Sequence, residues 1–178
     1  MKALIITWEK FQDHEVIYPY YRLLEEGFEV DIMSNVLGRI YGIMGTNMES
    51  SLLTSELDDV YRFDELLNEY DIMVVPGGVK ALEKLRQEDN VLLFINAWNE
   101  QKKVIASTCH GAQLLISSKI VNGRKVSGYY SIKDDINNAG ATYVDEPVVV
   151  DGNLVSSPHY KWMGEWMKSA INVYNQGR

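Results

Sequence analysis

The chain's single cysteine, Cys109, stands in the run Ser107-Thr108-Cys109-His110-Gly111, between the apolar residues Val104-Ile105-Ala106 and the helical run Ala112-Gln113-Leu114-Leu115-Ile116. That order reads as a strand turning sharply into a helix, with the sulfur at the bend. Unsatisfied backbone N–H groups and the helix dipole at such a bend favour thiolate over thiol, and Gly111 is expected to permit the tight turn. A free cysteine is often only a small buried hydrophobe. A core cysteine would stand at Ile105 or Ala106, within the apolar run, whereas Cys109 follows two hydroxyl residues and precedes a histidine and a glycine. The position favours a reactive thiol.

Glu15 is the second candidate. It opens the first helix and, in the usual sheet order, points toward the same rim as Cys109; the other reading is a first-turn acid that complements the helix dipole. Asp13 and Gln12 share its loop and read as a cap or solvated surface. Pro19, four residues on, fits poorly in a helix interior and predicts an irregular turn. His110 serves as a base for Cys109 only if the bend splays two adjacent side chains into one pocket. Pro76-Gly77-Gly78 offers backbone N–H donors to an oxyanion, because bare backbone lets a carbonyl approach closely, and is equally a simple turn. His14 and His159 have no cysteine or carboxylate partner at metal-ligand spacing and read as surface or packing residues, so no metal is expected.

The elements that must position these groups follow from the pattern of apolar residues. Lys2–Thr7, Glu29–Ser34, Asp71–Val75 and Val104–Ser107 read as strands. Helical spacing covers His14–Glu26, closed by Gly27, then Glu65–Glu69 with Asp64 as its cap, Ala81–Arg86, Val91–Glu100 and the run from Gly111. Gly38–Gly45 reads as a hairpin inserted at a sheet edge. A short strand near Val126, a helix over Ile132–Ala139 and a hairpin from Val148-Val149-Val150 to Leu154-Val155, turned on Asp151-Gly152, lead to a last helix. Its face, Trp162, Met163, Trp166, Met167, Ala170, Ile171 and Tyr174, reads as core packing. Alternating strands and helices imply an α/β sandwich around a mostly parallel sheet, with the site beyond the carboxyl ends of the strands.

Composition bounds the function classes. The chain has 178 residues, 46% hydrophobic and 11% aromatic, with 17 Lys+Arg against 25 Asp+Glu for a net charge of −8. That suffices for one core, and no linker or repeat divides residues 1–178 into further domains. The acidic balance and the lack of a basic stripe argue against a nucleic-acid partner. One cysteine excludes an intramolecular disulfide and a CxxC motif. No apolar stretch approaches the ~20 residues of a membrane span, and Met1–Thr7 is too short for a signal peptide, so a cytoplasmic protein without membrane contact is expected.

Glu15-Val16-Ile17-Tyr18-Pro19, Val75-Pro76-Gly77-Gly78, Ala106-Ser107-Thr108-Cys109-His110-Gly111, Ile132-Lys133-Asp134-Asp135 and Val150-Asp151-Gly152-Asn153-Leu154-Val155-Ser156-Ser157, in that order and spacing, resemble the ThiJ/PfpI superfamily across the whole chain. The nearest resemblance is to its intracellular-protease PfpI branch. It implies a flavodoxin-like, class I glutamine amidotransferase-like three-layer sandwich, with Cys109 on a nucleophile elbow and Glu15 hydrogen-bonded to its sulfur as the proton carrier. It implies that His110 acts with a glutamate from a neighbouring subunit, matched here by Glu83, so that the site is completed in a homo-oligomer, a dimer or hexamer. Gly77 and Gly78 would serve the oxyanion, and Tyr18, Tyr129 and His159 would line the pocket. Gln12 stands where the branch often has a second acid, and Ser157-Pro158-His159-Tyr160-Lys161-Trp162 replaces its Arg-x-Pro-x-Asp.

The superfamily's activities share a thiolate that attacks an electrophilic carbon, and no cofactor is implied. The expected substrate is a small carbonyl compound or adduct, in a glyoxalase- or deglycase-like reaction, or a peptide bond. The alternative is an oxidation sensor or stress chaperone that uses Cys109 as a redox switch. A flavin-binding module would need a phosphate-cradling loop after the first strand, and none is present.

Overall fold

Apolar runs ended by residues that cannot extend a ladder set the strands. Ile72-Met73-Val74-Val75 is buried throughout and stops at Pro76, which has no N–H to donate. A computed structural model describes residues 1–177. Its first half comprises β1 (Lys2–Ile6), α1 (Asp13–Glu25), β2 (Glu29–Ser34), β3 (Gly38–Tyr41), β4 (Asn47–Ser50), β5 (Leu52–Leu53), α2 (Val60–Glu69), β6 (Ile72–Val75) and α3 (Val79–Leu85). The second comprises α4 (Asp89–Glu100), β7 (Val104–Thr108), α5 (Ala112–Ser117), β8 (Lys125–Val126), α6 (Lys133–Asn138), β9 (Thr142–Tyr143), β10 (Val149–Asp151), β11 (Leu154–Ser157) and α7 (Met163–Gln176).

The main sheet has seven strands in the order β10-β11-β7-β6-β1-β2-β5, and only the β10–β11 pair is antiparallel. From β1 the chain moves outward to β2 and then crosses back to β6, so the carboxyl ends of β1 and β6 flank the switch point where such sheets place their sites. Helices α1 and α7 pack together on one face, and α2, α4 and α5 pack in succession on the other. This is the expected flavodoxin-like sandwich. Trp98 of α4 and Trp166 of α7 are fully buried, and their indole N–H groups donate to the carbonyls of Val104 at 3.1 Å and Val155 at 3.2 Å. An unpaired buried donor would cost about 1–3 kcal/mol. Trp166, Met167, Ala170 and Ile171 on α7 form core, as their spacing predicts. No helix among the described residues is long and apolar enough to cross a membrane.

Several boundaries differ from the sequence reading, each for a local reason. Helix α1 runs through Pro19 without a break. The proline removes only the N–H that would bond the Glu15 carbonyl, and the buried Val16 and Leu23 hold the helix down on either side. Asp64 is not a cap; α2 starts earlier, at Val60, where Asp59 accepts the Arg62 N–H at 2.8 Å. The last hairpin turns on Gly152-Asn153, since Asp151 already pairs with Leu154.

The inserted hairpin is longer than Gly38–Gly45. β3 pairs with β4 from Gly38↔Ser50 to Tyr41↔Asn47 as a separate two-stranded sheet, so Gly42 and Gly45 belong to its turn. Asp13 fixes that turn: its buried carboxylate accepts the N–H groups of Met44 at 2.8 Å and Thr46 at 2.9 Å. A side-chain carbon on Gly42 would lie 2.4 Å from the same carboxylate, so only glycine fits there. Outside the clamp, Ile43 and Met44 remain exposed.

Candidate active site

Strand β7 ends at Thr108, and the chain bends at Cys109, whose φ is +56°. A non-glycine residue in this left-handed region costs about 1–2 kcal/mol, and the bend is held by the Tyr129 N–H donating to the Cys109 carbonyl at 3.0 Å. Gly111 has ordinary helical backbone, with φ at −53°. Its side of the turn needs space instead: a side-chain carbon would lie 2.4 Å from the Val75 carbonyl oxygen and 3.0 Å from Ser107 Oγ. Gly111 thus permits the tight turn as expected, through its lack of a side chain and not through a positive φ. Cys109 takes the strained backbone, and Gly111 lets the following turn close on β6. Gly111→Ala should lower stability by about 1–3 kcal/mol, read as a fall in the urea midpoint; an unchanged midpoint would contradict the close contact.

The positive φ also settles how adjacent side chains meet. His110 Nδ1 lies 3.4 Å from Cys109 Sγ, and its Nε2 lies 3.4 Å from Ser131 Oγ. Burial lowers the His110 pKa, which favours the neutral ring.

Glu15 is fully buried in the first turn of α1, and the Gly77 N–H donates to its Oε2 at 2.5 Å. A side-chain carbon built on Gly77 would lie 2.4 Å from that oxygen and 3.0 Å from Cys109 Cβ, so the glycine is the gap through which acid and cysteine approach. Gly77 therefore gives its N–H to Glu15 and not to an oxyanion, a correction to its expected role. The Gly78 N–H has no partner among the described residues. With φ at +107°, and with a side-chain carbon that would meet Gln12 N at 2.7 Å, position 78 also requires glycine. Gln12 is the cap of α1, accepting the His14 N–H at 2.8 Å.

Electrostatics reverse one expectation. Burial raises the Glu15 pKa from 4.5 to about 7, against the Gly77 N–H and the Cys109 thiol, which lower it. Burial also pushes the Cys109 thiol up, the charge on Glu15 adds to this, and only the His110 backbone N–H opposes them. The bend leads into a short 3-10 turn and a helix of 6 residues, too little dipole to outweigh burial. Burial and the Glu15 charge both favour the thiol, against the ionised sulfur expected from the bend alone. The sulfur lies 3.4 Å from His110 Nδ1 and shares a side-chain hydrogen bond with the Glu15 carboxyl, as the resemblance implied.

Aromatic rings wall one side. His110 and Tyr129 have ring centroids 4.8 Å apart, Tyr129 and His159 6.1 Å, His159 and Tyr160 3.9 Å, and Tyr160 stacks on His14 at 4.7 Å. Tyr129 and His159 thus belong to a row of rings that reaches His110. Tyr18 does not join this row; its hydroxyl lies against Gly164 at the α1–α7 seam. Glu83 is exposed on α3 and pairs with Lys80 at 3.6 Å, with no hydrogen bond or ion pair to Cys109 or His110 of its own chain. A concavity of about 1070 Å³ lies at the opposite, amino-terminal end of the strands, bordered by Asp71, Lys103, Arg124 and Asn153, and holds none of these residues. The convergence of three strand ends, not cavity size, marks the site.

A family model described as the DJ-1/PfpI family matches residues 1–173. The chain belongs to the DJ-1/PfpI family. Among its relatives, the protein named Deglycase TK1284 from Thermococcus kodakarensis is 41% identical over 172 residues, covering 94% of this chain and 98% of that one. YraA of Bacillus subtilis, named as a cysteine protease candidate, is 32% identical over 156 residues, 88% of each chain. A ThiJ/PfpI domain protein from Brachyspira murdochii superposes with a TM-score of 0.88 over 98% of this chain and 96% of its own, at 21% identity, a likeness of fold. Within this DJ-1/PfpI chain, Asp13, Ser131 and Tyr160 escaped the sequence reading as functional neighbours. The Asp13 contact depends on a hairpin turn some thirty residues away, which local pattern does not encode.

Proposed function

We propose that this DJ-1/PfpI protein is a deglycase- or glyoxalase-type enzyme in which Cys109 attacks the carbonyl carbon of a small aldehyde or its adduct. The observation that carries this is the fully buried acid beside the sulfur, held there by the Gly77 N–H. Near neutral pH Glu15 exchanges its proton readily, since its pKa is about 7. The Cys109 thiol gives its proton to the Glu15 carboxylate as the sulfur bonds to the carbonyl carbon. The carbonyl oxygen, drawn to the Gly78 N–H as charge develops, then takes that proton from Glu15 and leaves a hemithioacetal. Neutral His110, anchored toward Ser131, orients the sulfur. The name of the TK1284 relative supports a deglycase, and the confinement of Cys109, only 7% exposed, favours a small carbonyl compound over a peptide bond. The same burial weighs against the redox-switch alternative, because peroxide oxidises the thiolate and burial disfavours that form.

The test is methylglyoxal turnover, with methylglyoxal-treated amino acids as adduct, measured alongside iodoacetamide alkylation from about pH 5 to 9. Both rates should rise together through about pH 7, where Glu15 loses its proton. Rapid alkylation with no turnover of any carbonyl would overturn the enzyme assignment in favour of sensing.

A neighbouring subunit's Glu83 is proposed to face His110, in a homo-oligomer. Glu83→Ala should then lower turnover about tenfold or more while leaving gel-filtration size unchanged. A fully active monomer would exclude a shared site.

A further inference from the structure

Six buried side-chain oxygens lack a hydrogen-bond partner among the described residues, and five belong to Thr7, Glu15, Ser107, Thr108 and Ser157, at the carboxyl ends of the main-sheet strands and in the first turn of α1. The sixth is the Tyr143 hydroxyl on β9. Folded proteins pair nearly all such atoms, with protein or with ordered water. The register places three of them in line. Thr108 and Ser157 are partners on neighbouring parallel strands, so their side chains leave the sheet on the same face. Ile5 pairs with Val74 and Val75 with Ser107, which brings Thr7 beside Pro76 and Pro76 beside Thr108. Proline contributes no polar side-chain atom to this row. Glu15 is tied by Oε2 to Gly77, the next residue, and Oε1 is its unpartnered oxygen. Ser107 lies one residue back, on the opposite face, against Gly111.

We propose that the row Thr7–Thr108–Ser157 binds ordered water that hydrogen-bonds Glu15 Oε1, making these hydroxyls positioning residues for the proton carried between Glu15 and Cys109. This rests on the proton-carrier reading of Glu15 given above. A buried water makes about three hydrogen bonds and needs two to four polar partners, and the row with the carboxyl oxygen supplies that number. Water in this place adds a further donor to the Glu15 carboxylate beside the Gly77 N–H on Oε2. The titratable group acting on Glu15 is Cys109 from the β7 bend. His110 touches the sulfur, and Tyr129 stands against His110. β6 offers only the Gly77 N–H.

Thr108→Val keeps the shape and deletes the hydroxyl. If the row holds water, the carboxylate loses support, the pH midpoint of Cys109 alkylation moves up by about one unit, and the melting temperature does not rise. If the row is dry, the valine removes an unpaired hydroxyl, the protein melts higher and the midpoint stays where it was; an unmoved midpoint overturns the proposal whatever the melting temperature. Ser157→Ala repeats the comparison, and Ser107→Ala, on the other face, is the control expected to leave the midpoint in place. Wild-type alkylation with no pH dependence near neutrality would overturn the proton-carrier reading instead. In that case the melting comparison alone decides the water site, a higher-melting Thr108→Val overturning it.

Discussion

Cys109→Ser should abolish carbonyl turnover, by roughly 10³-fold or more, and leave the fold intact. The serine hydroxyl matches the thiol in shape but holds its proton far more tightly, and a carboxyl of pKa about 7 cannot take it. The bend survives, because the Tyr129 N–H bond to residue 109 runs to its backbone carbonyl. Serine meets the same left-handed backbone at the same cost as cysteine, so the urea midpoint should stay within the equivalent of about 0.5 kcal/mol. Retained turnover in a folded Cys109→Ser protein would move the chemistry to another group. A collapse of stability would show that the sulfur is mainly packing.

Glu15→Gln should pull activity and stability in opposite directions. Turnover falls by about 10²–10⁴-fold, because glutamine cannot accept the thiol proton. Stability follows from linkage. Folded Glu15 keeps its proton up to about pH 7, whereas the unfolded chain releases it from about 4.5. Folding therefore takes up a proton between those values, and its stability falls as pH rises through that window, levelling off above it. Glutamine has no such penalty. The variant should match the wild type below about pH 4.5 and exceed it by about 3 kcal/mol at about pH 8, seen as a gap between urea midpoints that widens with pH. A constant gap, or a less stable variant at pH 8, would mean that Glu15 is charged and well satisfied when folded.

Much of this architecture is legible in the sequence. Apolar runs such as Asp71–Val75, cut off by Pro76, determine strands whatever surrounds them, and the strand–Cys109–helix junction is local. Cys109, Glu15 and His110 do converge, as do Tyr129 and His159 on the ring wall. What escaped depends on contacts far apart in the chain. The ionisation of Cys109 reads as thiolate from the bend alone and as thiol once burial and the Glu15 carboxyl are in place. The N–H of Gly77 looks free for an oxyanion until Glu15 is seen to occupy it. Asp59 displaced Asp64 as the cap because the helix gained an earlier turn that the apolar spacing did not demand.

The Asp13 clamp has a mechanical consequence. Its carboxylate grips two amides of the hairpin turn while Glu15, two residues along the same helical turn, stands on Gly77. Hairpin and acid are thus anchored to one and the same turn, so the carboxyl that reaches Gly77 and the one that crosses to the hairpin amides share a single footing.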